Sequence, residues 1–500
     1  MPSVTRNVLA SWMAHALTII IGFFLMPYVV SVMGDHSYGN WLFINSMASY
    51  AGLLYFGFGD TISRYVAKYH AEGDNLRINQ IVSLIVAIYT IMGGTAVAVA
   101  IALSLLAPWT SEWQGDELFE IQCTIVVLGL NAATGMVGSV FGGVLMGLRR
   151  FDLERSVTVG SDLIRLALIA VFLQQRWGLL TIAIIYFFIT IAENLACAWL
   201  AYRSLPSLRI GREYLDRQVL KECSSFSAMA FLNAIAYQLT NATDSVVIGI
   251  MMGTDKIVPY YIALRLTQFL KQPIDKISQI CMPTAGALSA VTERHRLQRF
   301  LHKAVGTVVL LVGGVFIGAW FFGGDVIRNW MGDGYTSSHH ILVILLASQL
   351  VALPCSVIRS FLFGMGDVRF PAILYLTEAV CNVTLSITLC SFWGLTGVAW
   401  GTFVPVLCIE LGVLVPVALS RMGLKPYRFF SEAVLPQAFP LAALLCYSYL
   451  VSAQEWSHQG WPMLIGVTAC GGLVLGTTWL VVEKLRTLRF RAAESQATPA

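Results

Sequence analysis

Charge is the scarcest commodity in this chain. Asp, Glu, Lys and Arg make up only 12% of its 500 residues, against roughly a quarter in soluble globular proteins. Apolar residues supply 57% and the mean hydropathy is +0.71, which leaves too little polar surface to solvate a particle of this size. A soluble multidomain protein is therefore excluded. The net charge of +4 is small and its basic residues are scattered without interleaved aromatics, so nucleic acid is not an expected partner. The ten cysteines nowhere approach C-x-x-C spacing, which argues against a zinc site or a disulfide framework. No metal or cofactor is expected.

What the chain does have is long apolar runs. A spanning helix needs about 20 apolar residues, and scanning for such runs gives about fourteen, centred near residues 20, 50, 93, 134, 166, 189, 238, 271, 311, 352, 380, 407, 442 and 471. The first, Val8 to Met33, is far longer than the apolar core of a signal peptide and reads as a membrane helix. Basic residues then orient the chain. One side collects Arg6, Arg64, Lys68, Arg149, Arg150, Arg203, Arg209, Arg294, Arg296, Arg421, Lys484 and their neighbours, whereas the loops of the other side hold only Arg176, Lys256 and Arg328. Both termini are thus expected in the cytoplasm. The loops on the opposite side are short and leave no room for a catalytic domain, so a non-enzymatic protein is expected.

Two stretches resemble each other at a spacing of about 217 residues. Gly143 to Phe151 followed by Trp177-Gly178-Leu179 matches Ser360 to Phe370 followed by Trp393-Gly394-Leu395, and Val32-Met33-Gly34-Asp35 matches Met251-Met252-Gly253-Thr254. A unit of that length holds six helices, and an even unit inserts both copies the same way up. The expected organisation is all-α and membrane-integral: a six-helix lobe over 1–205, a basic linker over 206–224, a second six-helix lobe over 225–422, two appended helices over 423–483 and a tail over 484–500. Two such lobes are a transporter architecture, with a path between them.

Charges inside spans cost about 2.5–3.5 kcal/mol each even on the lenient insertion scale, so each needs a partner or a wet cavity. Asp60 with Arg64, Asp162 with Arg165, and Lys271 with Asp275 share helix faces at i,i+3 or i,i+4 and are expected as structural ion pairs. Arg265 and Lys276 are eleven residues apart, which brings them within about 20° of one helix face. Two stacked cations without a local acid suit a polyanion such as a diphosphate. With Arg359 they are the candidate substrate-binding residues. Glu193, Asp244, Glu378 and Glu410 have no acid–base partner nearby in sequence and are the candidate ion-coupling residues, Glu193 and Glu410 falling at near-equivalent places in the two repeats. Pro27, Pro273, Pro283, Pro354 and Pro405 interrupt spans, as alternating-access helices tolerate.

The opening Arg6-Asn7-Val8-Leu9, the Gly34-Asp35 to Trp41 turn, Gly57-Phe58-Gly59 through Ala67 with Glu72-Gly73-Asp74 after it, and Asp244 to Gly249 together resemble the Wzx-type flippases. Those are the lipid-linked oligosaccharide carriers of the multidrug/oligosaccharidyl-lipid/polysaccharide exporter superfamily. Of that family's motif residues, Arg64 and Asp244 carry over by position. The resemblance implies a carrier of the bacterial cytoplasmic membrane that moves an undecaprenyl-pyrophosphate-linked oligosaccharide to the outer leaflet through a cationic cavity, coupled to an ion gradient. It would work beside a polysaccharide polymerase and chain-length machinery. A multidrug/cation antiporter of the same superfamily is the alternative, and it would prefer an acidic, aromatic cavity. A lipid II flippase would share the architecture, and a membrane glycosyltransferase would share the substrate.

Overall fold

Glycine and proline decide where these long helices bend. A computed structural model describes residues 4–55, 58–110, 113–173, 177–290, 294–454 and 460–497. Among them the chain is helical throughout, with no strand. The first helix, α1 (Val4–Ser49), carries a break at Gly34, where φ is 75° and ψ 169°. A 3-10 turn, Tyr50–Tyr55, follows, then α2 (Phe58–Glu72), α3 (Asn75–Thr110), α4 (Gly115–Gly147), α5 (Phe151–Phe172), α6 (Gly178–Ser204) and α7 (Arg217–Met252). Asp216 caps α7 by accepting the Gln218 N–H at 2.8 Å. After a 3-10 turn at Thr254–Lys256 come α8 (Ile257–Ala290), α9 (Arg294–Met331), α10 (Ser338–Gly364) and α11 (Arg369–Val406), the last broken at Gly394. The helix then widens into π geometry over Leu407–Leu414 and returns to α as α12 (Val415–Arg421). Pro405 and Pro416 flank the wide segment; each withdraws a backbone donor, which is the usual cause of such a bulge. The chain ends with α13 (Pro426–Phe429), a second π turn at Phe430–Val434, α14 (Ala438–Ser452) and α15 (Gly460–Ala497).

Eight helical stretches among the described residues are long and apolar enough to cross a membrane, and none is covered like the inside of a soluble protein. Ser338–Gly364 is the most enclosed, with 56% of its apolar window buried, and Gly460–Leu485 the least, with 11%. Phe24, Ile91, Phe188, Ile373 and Leu473 stand outward with more than half their surface free. Exposed apolar area on this scale needs another apolar phase to cover it.

The chain divides into two compact units, Met1–Val258 and Pro259–Ala500. In the first, Ile62 and Val66 of α2, Ile78 to Tyr89 of α3, and Met136 to Leu145 of α4 form the core, and α7 packs beside α1 and α2. The sequence-derived lobe boundary at 206–224 thus differs from the packing boundary, which falls at the start of α8. In the second unit Leu301 and Val305 of α9, Ile358 and Phe361 of α10, and Ala418 of α12 are the centre.

Helix ends 217 residues apart close with the same pattern of backbone bonds. At the end of α4, the N–H groups of Leu148, Arg149 and Arg150 donate to the carbonyls of Val144, Met146 and Leu145; at the end of α10, 217 residues on, those of Met365, Gly366 and Asp367 donate to Phe361, Phe363 and Leu362. The turn needs a left-handed residue, supplied by Arg149 at φ 59° and by Gly366 at φ 88°. Gly253, with φ 92° and ψ 157°, reproduces the break at Gly34. Positive φ also occurs at Trp177 and at Gly394, with different ψ values of 26° and −136°.

The helix ends carrying these turns are tightly crossed. A Cβ on Gly364 would come within 2.9 Å of the Gly286 nitrogen on α8, and one on Gly147 within 2.7 Å of Val66 Cβ on α2, whereas one on Gly142 meets nothing within 4 Å. Gly364→Leu and Gly147→Leu are each predicted to cost about 1–3 kcal/mol by overpacking. Thermal unfolding in detergent should show a lowered midpoint for both and an unchanged one for Gly142→Ala.

Candidate functional site

The most buried charges of the second unit converge on one guanidinium. Arg359, projecting from α10, forms ion pairs with Glu410 of the π segment and, at 3.8 Å, with Glu378 of α11. Its guanidinium also lies 5.6 Å from the centre of the Tyr375 ring. Glu378 and Glu410 retain 6% and 1% of their surface. The widened helix matters here because an extra residue per turn changes the direction in which Glu410 points. Two carboxylates share one cation, so the cluster carries an excess of one negative charge when all three groups are ionised. One oxygen of each carboxylate, Oε2, has no hydrogen-bond donor. Just beyond the cluster, Asn382 donates to Thr402 at 2.9 Å across the Gly394 break.

The first unit holds a counterpart. Glu193 of α6 lies 217 residues before Glu410. It accepts a hydrogen bond from Thr158 at 3.1 Å and sits 4.0 Å from Arg165, both on α5. Arg165 also closes the expected i,i+3 pair with Asp162 at 2.6 Å and lies 4.6 Å from the Tyr186 ring centre. Again one guanidinium serves two carboxylates, although the arginine comes from a different helix of the repeat. This cluster is looser, with side-chain exposures of 19–25% against 1–16% in the second unit.

These contacts correct several expectations. Glu193, Glu378 and Glu410, read from sequence as lacking partners, are each engaged by an arginine; the partners of Glu378 and Glu410 come from another helix, too distant in sequence to be seen. Arg359, read as a free substrate-binding cation, is largely neutralised by Glu378 and Glu410. Lys271 and Asp275, with Pro273 between them in α8, do not close an ion pair within 4.0 Å. Asp275 instead lies within electrostatic reach of Lys271, Arg359 and Lys276 together. The side chain of Asp60, expected to pair with Arg64, is outside the described residues; Arg64 itself is exposed on α2.

Arg265 and Lys276 remain without a carboxylate within 4.0 Å among the described residues. Arg265 is half-buried, 3.4 Å from Gln268 Oε1 and 4.9 Å from the Phe269 ring centre. Lys276 is exposed, with Gln279 Oε1 at 3.5 Å. Lys271, between them in sequence, borders a shallow recess with Thr267, Gln349 and Leu353. Asp244 is buried in α7 at 4% exposure, next to Thr243, whose hydroxyl meets that of Tyr50 at 2.5 Å. Sequence reasoning missed Thr158, Tyr186 and Tyr375. No spacing rule flags a threonine or tyrosine that meets an ion pair from another helix.

Residues 4–289 match the family described as polysaccharide biosynthesis protein. The chain belongs to that family. No curated protein matches it in sequence. Among solved structures, this family member is similar to the lipid II flippase MurJ in an inward closed conformation, with a TM-score of 0.74 at 13% identity over 97% of this chain and 99% of that one. It is also similar to a multidrug resistance MATE family transporter of the MOP superfamily in an inward-facing conformation (TM-score 0.69, 17% identity, 82% and 94% covered). A third likeness is to a MOP superfamily transporter from Pyrococcus furiosus (TM-score 0.61, 15% identity, 84% and 96% covered). At these identities the likeness is one of fold. The family member is a multi-pass membrane protein with the fold of these flippases and transporters.

Arg359→Met leaves two buried carboxylates facing each other without a counter-charge, a change that typically costs about 3–5 kcal/mol. A lowered unfolding midpoint in detergent is expected, with partial recovery when Glu410→Gln is added. Equal stability of Arg359→Met and the unsubstituted chain would remove the cluster's structural role.

Proposed function

We propose that the protein is a flippase that carries an undecaprenyl-pyrophosphate-linked oligosaccharide from the cytoplasmic to the outer leaflet of a bacterial cytoplasmic membrane, for surface polysaccharide synthesis. The observation that carries this reading is a conjunction: a chain of the polysaccharide biosynthesis family shares its fold, almost end to end, with a lipid II flippase. Fourteen crossings with both termini in the cytoplasm belong to the same proposal. It is supported by the breaks at Gly34 and Gly394, which divide two over-long helices, and by the one-sided distribution of basic residues. The two repeats would be the lobes that rock against each other, with α13–α15 appended.

The roles of the charged residues follow from their surroundings. Arg265 and Lys276, which close no ion pair with a carboxylate among the described residues, are the candidates to receive the diphosphate. Lys271 is a third cation on the same helix. Glu378 and Glu410, with Glu193 and Asp244 in the first unit, are the candidate ion-coupling groups. Arg359 is assigned to that cluster as a positioning residue instead of to the substrate. A polysaccharide polymerase and chain-length proteins would take over the product.

The alternative, a multidrug/cation antiporter, draws support from the MATE-type neighbour and from the acidic excess at Glu378 and Glu410. A deletion strain separates the two. A flippase predicts loss of surface polymer with lipid-linked repeat units accumulating, measured by gel and mass spectrometry. Unchanged polymer with heightened sensitivity to cationic dyes favours the antiporter. Within the flippase reading, Arg265→Ala removes a charge-assisted contact of about 1.5–3 kcal/mol, so polymer restored by that variant should fall about tenfold or more at equal protein level. Full restoration would remove Arg265 from substrate binding.

A further inference from the structure

The segment between α6 and α7 is fastened along α3. Asn75, Asn79 and Ser83 follow one another at intervals of four residues and so lie on one helix face. Ser207 donates to Asn75 Oδ1 at 2.9 Å. The Asn79 amide grips the backbone at two points, donating to the Ser207 carbonyl at 3.1 Å and accepting the Arg209 N–H at 2.9 Å. The Gly211 N–H donates to Ser83 Oγ at 3.2 Å. The two registers match, because four residues of helix advance about 6 Å and two residues of extended chain about 6.6 Å. At the far end Asp216, which caps α7, also accepts from Gln80 at 3.4 Å. Leu205, Leu208 and, in the first turn of α7, Val219 are buried in the core of the first unit. Asn79 and Ser83 keep only 6% and 3% of their surface.

The second unit captures its own segment from the same positions. Arg294, Gln298 and His302 of α9 stand 219 residues after Asn75, Asn79 and Ser83. Arg294 and Gln298 donate to the carbonyl of Met422, at the exit of α12, at 3.3 and 3.1 Å, and His302 Nδ1 lies 2.9 Å from Glu432 Oε2 farther along. Met422 and Leu424 are buried in that unit's core. The residue types differ between the two units while the capture is kept.

We propose that the segment leaving α6 is a strap clamped to α3, and that it stays clamped through the transport cycle. The first turn of α7, by sequence the start of the second repeat, then moves with the first repeat. The inference rests on the transport reading above. Release would undo all these bonds together and uncover Leu205, Leu208 and Val219 to water, so the clamp is costly to open. Because Asn79 and Ser83 hold strap backbone, the grip depends on the path of the chain and not on its side chains.

Hydrogen exchange on the purified full-length chain tests the clamp. Asn79→Ala removes its hub from α3, and Arg209→Pro removes from the strap the N–H that Asn79 accepts. Each variant is expected to exchange several-fold faster over 205–219, with residues 294–331 unchanged. Unchanged exchange over 205–219 in both overturns the clamp. Whether it stays closed is tested in a deletion strain with Asn75→Cys and Ser207→Cys joined by a short, membrane-permeant bismaleimide. Each single variant, treated alike, controls for the native cysteines, and linking is read as the mass of the joined peptide. Surface polysaccharide made after linking should equal that of the treated single variants. Delivery that falls in step with the fraction linked overturns the strap. If the unsubstituted chain itself restores no polysaccharide, it is the transport reading that fails, and exchange alone then decides whether the segment is clamped.

Discussion

Hydrocarbon offers no hydrogen-bond partner, and the rest of this structure depends on that single deprivation. Each backbone donor must be satisfied inside its own helix, so the chain is helical almost without interruption. Where it does break, at Gly34, Gly253 and Gly394, a glycine takes up a conformation that other residues resist. The same rule governs side chains. Acids and bases that enter the apolar layer gather into clusters around one guanidinium, Arg165 in the first unit and Arg359 in the second. Each cluster keeps one acid in surplus.

The surplus separates two kinds of charge. At Arg359 positive charge is enclosed and spoken for by Glu378 and Glu410, and it is the negative charge that lacks a full complement. Along α8, Arg265 and Lys276 close no ion pair among the described residues and have glutamine oxygens nearby. Lys271 and Asp275 stand between them in α8 without pairing, and Asp275 is influenced by cations of both groups.

The all-helical, membrane-crossing character could be read before any coordinates, because apolar length is a local property of a sequence. The turn at Leu148–Arg150 recurs at Met365–Asp367 bond for bond, at the ends of the two stretches that resemble each other in sequence. Partners across helices could not be read in advance. Arg359 is 51 residues from Glu410, and nothing in composition joins them. Arg165 was visible as a partner of Asp162 because they share a helix face, and its second carboxylate, Glu193, was missed because it stands on the next helix. The expected Lys271–Asp275 pair does not close, although the two share α8 with Pro273 between them.

The π segment at Leu407–Leu414 has a consequence for how α11 and α12 are coupled. Lodging an additional residue in a turn rotates everything past it by about 100° relative to an uninterrupted helix. Such a widening is also a dislocation: it can migrate along a helix one residue at a time, as a ruck travels along a carpet, without all the backbone bonds breaking at once. Past its far end, Arg421 is anchored to Asp367, so the helix cannot spin freely there. Glu410 therefore sits where a change in the position of the dislocation would re-aim one carboxylate while both ends of the helix stay fixed.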